Sequence, residues 1–372
     1  MPTSDESDAT QYLKVLMSAG ATEQVDNEFD VNKQQLPPWY NEELFKKGQT
    51  FYRRNIFAMF VGMLCGLISV LTIPTILNVL ICTKKSGSSL TAYRRYIRTI
   101  FHVVRWNSSD LQPDSSAWKS LLSVRNTHLA SSKMCQRSDK GIFISQRDMA
   151  LTQFGFMGYT TLKPHQLGIQ NSDDFLEATV HFWRVIGYML GIKEEYNICT
   201  NSWSTTKPRL QTVLQELYRP ALLAADKKCY DMIEAMISGL WSFNPFLSVD
   251  TFFFFTKRLA GCDGYQYLKV DYTAEQKNSF EERDNLVYRQ FSLWTRSMIF
   301  ILIVHHQYLL QWAIFRIYYN FQMYLSLFLI YYFPFLAFHR FGFLVEFILQ
   351  KSRELAVEPH YNSNRIVLFM PL

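Results

Sequence analysis

Residues 55–83 contain no Asp, Glu, Lys or Arg, and this run limits the fold more than any other feature. It is several times longer than an ordinary strand of about five or six residues. The segment must therefore be helical, either buried on every side or crossing a hydrocarbon layer of about 30 Å. Arg53 and Arg54 precede it, and Lys84 and Lys85 follow. Such flanks suit the ends of a core helix and of a transmembrane helix alike. Pro74 predicts a kink or break near its middle.

The rest of the chain argues for helices too. Only 15 Gly and 12 Pro occur among 372 residues, too few for the many tight turns of an all-β chain. Helical patterning is expected at about 89–106, 116–134, 145–161, 174–192, 208–224 and 226–243, and no clear strand alternation precedes residue 245. Ser145 ahead of Gln146 and Asp148 has the form of an N-cap with an acidic first turn. Asp173 and Asp174 open the next helix in the same way, and Gly191 suits a left-handed C-cap. Residues 197–212, polar and containing Pro208, read as a loop.

The expected organisation has five parts. Residues 1–36 form a disordered polar tail, and 37–245 a helical core that includes the apolar helix 57–82, buried or transmembrane. Residues 246–296, with Phe252 to Phe255, read as irregular or mixed. Residues 297–345 carry few charges and many Phe, Tyr and Trp, as at a membrane interface, and read as a membrane segment, either a hairpin in the bilayer or one long interfacial helix, in preference to buried core. Residues 346–372 are a tail. Aromatics make up 16% of the chain and charged residues 19%, below the roughly one quarter usual for soluble domains. The net charge of +6 is spread out, with no basic stripe among exposed aromatics, so nucleic acid is not an expected partner. Six scattered cysteines form no CxxC or CxxCH, which argues against structural zinc and covalently attached haem. Phosphate loops, nucleophile elbows and HExxH are absent as well.

The chemistry concentrates in two clusters. Arg95 and Thr99 lie four residues apart, hence on one helix face. His128 follows on the next helix, in the sequence Val124-Arg-Asn-Thr-His128. A neutral imidazole on an apolar helix is what a protein offers to a haem iron, although a half-buried histidine bonded to a carbonyl would have the same pattern. Thr99 could simply bond back to the Arg95 carbonyl. His102, at i+3 from Thr99, could stand on the distal side, but among Phe101, Val103 and Val104 it reads as packing. Asp148 reads as a helix-start residue, with a catalytic role as the alternative. His181 is open to three roles: opposite axial ligand, pocket donor or core residue. Arg184, three residues on, could meet a haem propionate or an acidic neighbour.

From about residue 90 to 200 the chain resembles the DUF2236 family, which includes a fungal endoplasmic-reticulum-bound oxygenase of mycophenolic acid biosynthesis and the latex-clearing rubber oxygenases. The match rests on Arg95-x-x-x-Thr99, Val124-Arg-x-x-His128-Leu-Ala, Gln146-x-Asp148-Met149-x-x-Thr152-Gln153, and the stretch 180–192 with His181-Phe-Trp-Arg184. The resemblance implies an all-α, globin-like core holding haem b, with apolar helices flanking it and a membrane association, by analogy at the endoplasmic reticulum. It implies an oxygenase acting with dioxygen on an apolar isoprenoid or lipid-like substrate, by C=C cleavage in the relatives. By the same resemblance His128 would be the iron ligand, Arg95 and Thr99 catalytic and cofactor-contacting residues, and His181 and Arg184 further cofactor contacts. Membrane lipid would be a partner. The alternative is a non-catalytic haem- or lipid-binding protein with the same fold. Two departures stand out. The latex-clearing proteins have a lysine just before the threonine, where this chain has Arg98. They also use a glutamate upstream of the arginine, and no Asp or Glu occurs here between Glu43 and Asp110.

Overall fold

A computed structural model describes residues 4–25, 35–138, 141–268, 271 and 286–342, and among these the fold is all-α. The helices that matter here are α1 (Ser4–Met17), α2 (Glu42–Arg54), α3 (Ile56–Leu71), α4 (Pro74–Thr83), α5 (Ser89–Trp106), α6 (Ser116–Gln136) and α7 (Gln146–Leu162). They continue with α8 (Asp173–Met189), α9 (Trp203–Val213), α10 (Lys227–Gly239), α11 (Val249–Ala260), α12 (Leu293–Gln307), α13 (Ala313–Tyr332) and α14 (Phe335–Phe341). The packing partners are α3 with α7, α2 with α8, α5 with α10 and α1 with α9.

The charge-free run is a core helix and its continuation. Almost every residue of α3 is buried, with Cys65, Ile68 and Ser69 fully so. Ile73 is extended, and Pro74 takes the first turn of α4, where its missing N–H leaves no helical bond unmade. At the crossing of α3 and α7 the backbones meet through Gly66 and Gly155. A Cβ on Gly66 would lie 1.8 Å from the Gly155 carbonyl oxygen, which no relaxation short of separating the helices can relieve. Gly66→Ala is therefore expected to cost about 3 kcal/mol or more in denaturant unfolding. A loss below about 1 kcal/mol would show that the two helices are not held in this contact.

The local signals named above organise the helices around the cavity. Ser145 caps α7, with the Asp148 N–H donating to its Oγ (3.1 Å) and the Ser145 N–H donating to Asp148 Oδ2 (3.3 Å). Ser88 and Thr91 form the same reciprocal pair at the start of α5. Gly191 is left-handed, at φ 94°, just past α8.

Several expectations require correction. Within residues 1–36, α1 is a packed helix: Ala9, Tyr12 and Leu16 are buried, and the Tyr12 hydroxyl donates to the Tyr196 carbonyl (2.9 Å). Its polar sequence concealed one apolar stripe and an Asp8–Arg209 ion pair (2.9 Å). The polar stretch 197–212 contains α9, with Pro208 inside the helix. Ser202 caps it, accepting from the Thr205 N–H (3.4 Å), and clustered hydroxyls from Thr200, Ser202, Thr205 and Thr206 satisfy one another. Within 246–296, Phe252 to Phe255 belong to α11, which is buried almost all round and closed by left-handed Gly261. Lys257 and Arg258 are buried beside the four phenylalanines, so the polar–apolar pattern of the sequence does not mark the helix as buried. Part of that segment, and the whole 346–372 tail, lie outside the described residues.

The membrane-spanning expectation for 297–345 also changes. No single helix among the described residues is long and apolar enough to cross a bilayer, and α13 and α14 are bent by 57° relative to each other. Both α12 and α13 instead lay one face on the core, through Ile299, Ile303 and His306 and through Met323, Leu327 and Ile330.

Candidate functional site

Arg95, Thr99 and His102 come from one face of α5 and meet His128 from α6 on the wall of two adjoining cavities. The inner one, about 170 Å³, is closed by Leu67, Val70, Met149, Phe156, Trp183 and Ile186. The outer one, about 480 Å³, opens past Lys84, Lys85, Arg94 and Arg98, and no acidic side chain lines it. Val79, Arg95, Thr99, His102, Val124, His128 and Ile144 belong to both. The result is one hollow with an apolar floor and a cationic mouth.

Burial, together with the nearby charges of Arg95 and His102, pushes the His128 pKa down to about 4. The imidazole is neutral at neutral pH, and its Nδ1 is buried with no hydrogen-bond partner. Burial also lowers the Arg95 pKa, so the surroundings disfavour its charge. Among the described residues Arg95 makes no ion pair. An enclosed guanidinium without a carboxylate calls for an anion. Thr99 makes the local bond its position allows, Oγ1 to the Arg95 carbonyl at 3.1 Å, while still lining both cavities.

These features fit a b-type haem: an unpartnered neutral imidazole for iron, apolar walls for the macrocycle, and cations at the mouth for propionates. His128, Arg95 and Thr99 are brought together as the spacing suggested. His181 and Arg184 are not. His181 accepts the Asn41 N–H at Nε2 (3.0 Å) and packs edge-on against Trp39, away from the hollow. Arg184 lies 3.9 Å over the Trp39 ring and pairs with Glu194 (Nε to Oε1 2.7 Å). Helix α8 turns Trp183, Ile186 and Gly187 toward the cavity, with Leu190 just past its end, and neither His181 nor Arg184 lines it.

Two residues read as packing or capping turn out to face the hollow. His102 Nδ1 lies 2.7 Å from Ser120 Oγ, which also accepts the Trp106 indole N–H (2.9 Å). All three groups are satisfied when Ser120 gives its proton to Nδ1, leaving the His102 proton on Nε2. Burial, with Arg105 and Arg98 nearby, pushes the His102 pKa down to about 4. Asp148 lines the inner cavity as well and accepts from Thr75 Oγ1 (2.6 Å). The i+3 spacing of His102 from Thr99 was the available signal; for Asp148 the cap pattern outweighed the catalytic role its carboxylate could also serve. Arg98 stands at the cationic mouth and does not line the inner cavity, so it does not take the place of a distal lysine.

A third cavity of about 410 Å³ lies between α3, α5, α12 and α13 and is lined almost wholly by apolar side chains. It meets the inner cavity at Leu67, Tyr96 and Thr99.

No family model matches this sequence, and no curated protein matches it, so the DUF2236 resemblance rests on its motifs alone. The fold is similar to a solved structure of latex clearing protein in its closed state, with 16% identity, 86% of each chain covered and a TM-score of 0.52. At that identity the likeness establishes the fold.

Proposed function

We propose that this chain holds haem b in the hollow between α5 and α6 and oxidises an apolar, isoprenoid-type substrate with dioxygen. The observation that carries the reading is the neutral, unpartnered His128 in an apolar cavity whose mouth carries four cations and, among the described residues, no acidic side chain. The likeness in fold to a latex clearing protein supports the same class of substrate. When bound, the haem supplies the iron at which dioxygen is activated.

The chain's own residues do the rest. His128 anchors from one side, and Arg95 offers charge to a carboxylate that would otherwise be costly to bury. His102, its Nδ1 held by Ser120, presents Nε2–H as a donor toward the hollow. The third cavity gives an apolar chain a water-poor seat that reaches the site beside Thr99. Adding one dioxygen across one C=C gives two carbonyls and consumes no external reductant. No Asp or Glu stands between Glu43 and Arg95, and this favours the alternative of a haem binder without turnover; among the described residues Asp148 and His102 are the carboxylate and the second imidazole that line the inner cavity.

Oxygen uptake separates the two readings. Haem-loaded protein is expected to consume dioxygen with squalene and to release carbonyl products, and to ignore squalane, which lacks double bonds. A normal haem spectrum with no uptake on either hydrocarbon would leave the binder.

A further inference from the structure

Helices α12, α13 and α14 expose an apolar face that nothing among the described residues covers. Ile314 is 73% exposed, Ile317 67% and Trp312 68%, and Leu293 and Trp294 continue the surface on α12. Along α13 the exposed positions Ile314, Ile317, Tyr318, Phe321, Leu325 and Phe328 follow helical spacing. The opposite positions Met323, Leu327 and Ile330 are buried on the core. This helix therefore has two apolar faces, and only one is used. Monomeric proteins rarely leave contiguous apolar surface beyond a few hundred Å² without a partner.

Charge identifies the partner. Residues 286–342 contain no Asp or Glu, whereas Arg289, Arg296, Arg316 and Arg340 lie among them. Arg289 and Arg340 are exposed. A second copy of this chain would bring like charges together across such a face. An anionic lipid surface offers both an apolar phase and the opposite charge, and Trp and Tyr are the residues favoured at its boundary.

We infer that α12–α14 lie in the plane of an anionic bilayer surface, docking the protein on one leaflet without crossing it. The helices would sink by about 5–10 Å, the depth of interfacial amphipathic helices. The apolar cavity of about 410 Å³ lies directly beneath: Ile301 and Phe246 line it and are also exposed. An apolar chain could thus pass from lipid to Thr99 without entering water. That direction of transfer rests on the oxygenase reading; docking itself does not, and is tested without haem.

The test uses the full chain and vesicles of phosphatidylcholine with or without phosphatidylserine. Cosedimentation is expected with the anionic vesicles and to weaken at high salt. Ile314→Ser/Ile317→Ser is expected to lower partitioning on the order of 100-fold, with circular dichroism unchanged because both side chains already face solvent. Arg289→Gln and Arg340→Gln should each lower it roughly fivefold on anionic vesicles only. In the unaltered chain, lipids brominated near the headgroup should quench tryptophan fluorescence more than lipids brominated at the chain end. Absence of partitioning, partitioning indifferent to the double substitution, deepest quenching at the chain ends, or a lipid-free dimer that the double substitution dissolves would each overturn the proposal.

Discussion

His128→Ala protein is expected to purify without a Soret band under conditions in which the unaltered chain, supplied with haem, shows one. The imidazole is neutral because burial and the charges of Arg95 and His102 hold its pKa near 4, so its lone pair is available throughout the neutral range. Alanine removes the only donor α6 offers to the hollow and leaves apolar walls that bind a macrocycle weakly and without fixed orientation. Imidazole added to the solvent should restore part of the spectrum, because the cavity left behind accepts the ring. His181→Ala is the matched control: its Nε2 serves the Asn41 N–H, so the Soret band should persist. An unchanged spectrum in His128→Ala, with haem still bound, would remove this residue as the ligand and with it the proposed function.

Asp271→Asn is expected to cost about 3–5 kcal/mol of stability. Arg258 and Asp271 are almost fully buried and joined by two bonds of 2.7 Å, Nε to Oδ2 and Nη2 to Oδ1. Asp271 Oδ2 also accepts the backbone N–H groups of Tyr267 (3.0 Å) and Leu268 (2.9 Å), and Arg258 donates to Gln307 of α12 (2.5 Å). Burial pushes the Asp271 pKa up, but the guanidinium and the two N–H groups outweigh it and hold it below the usual value. An amide in its place must turn its NH₂ toward either the guanidinium or the backbone donors, and Arg258 is left charged and uncompensated.

The sign with pH follows from linkage. A carboxylate whose folded pKa is depressed stabilises the fold above its unfolded pKa, and that contribution is lost as pH falls through the folded value. The unaltered chain should thus lose stability on acidification below about pH 4, and Asp271→Asn should lose less over the same window. Equal acid slopes in the two proteins, read from denaturant midpoints, would show that the pair carries no such linkage. Because Arg258 also donates to Gln307 of α12, disturbing the pair should loosen the wall of the apolar cavity as well.

How much could be read beforehand depended on whether the signal was local. The cap at Ser145, the acidic start at Asp173 and Asp174, the stop at Gly191 and the face shared by Arg95 and Thr99 are set by bonds or spacings within a few residues. They were legible for that reason. Helix α1 was missed because three buried side chains in a polar segment acquire meaning only against α9. Helix α11 was missed for a different reason: its Lys257 and Arg258 are buried along with its phenylalanines. His181 and Arg184 share a motif with cavity-lining Trp183, yet a helix turns consecutive residues about 100° apart, so a matching string did not mean a shared direction.

The sequence by itself determined that the chain is helical, that its charge-free run breaks at Pro74, and that an arginine, a threonine and a histidine stand at a spacing able to serve one site. Tertiary structure alone decided which charged and polar groups meet. It sent Arg184 to Glu194 and left Arg95 without a carboxylate; it paired Arg258 with Asp271 and turned His102 and Asp148 into the hollow. It also decided that the aromatic C-terminal helices lie along the core instead of standing apart from it. The physical reason is range. Capping, helix periodicity and proline geometry act over one or two turns of chain, whereas burial and charge pairing depend on which helices the packing brings into contact.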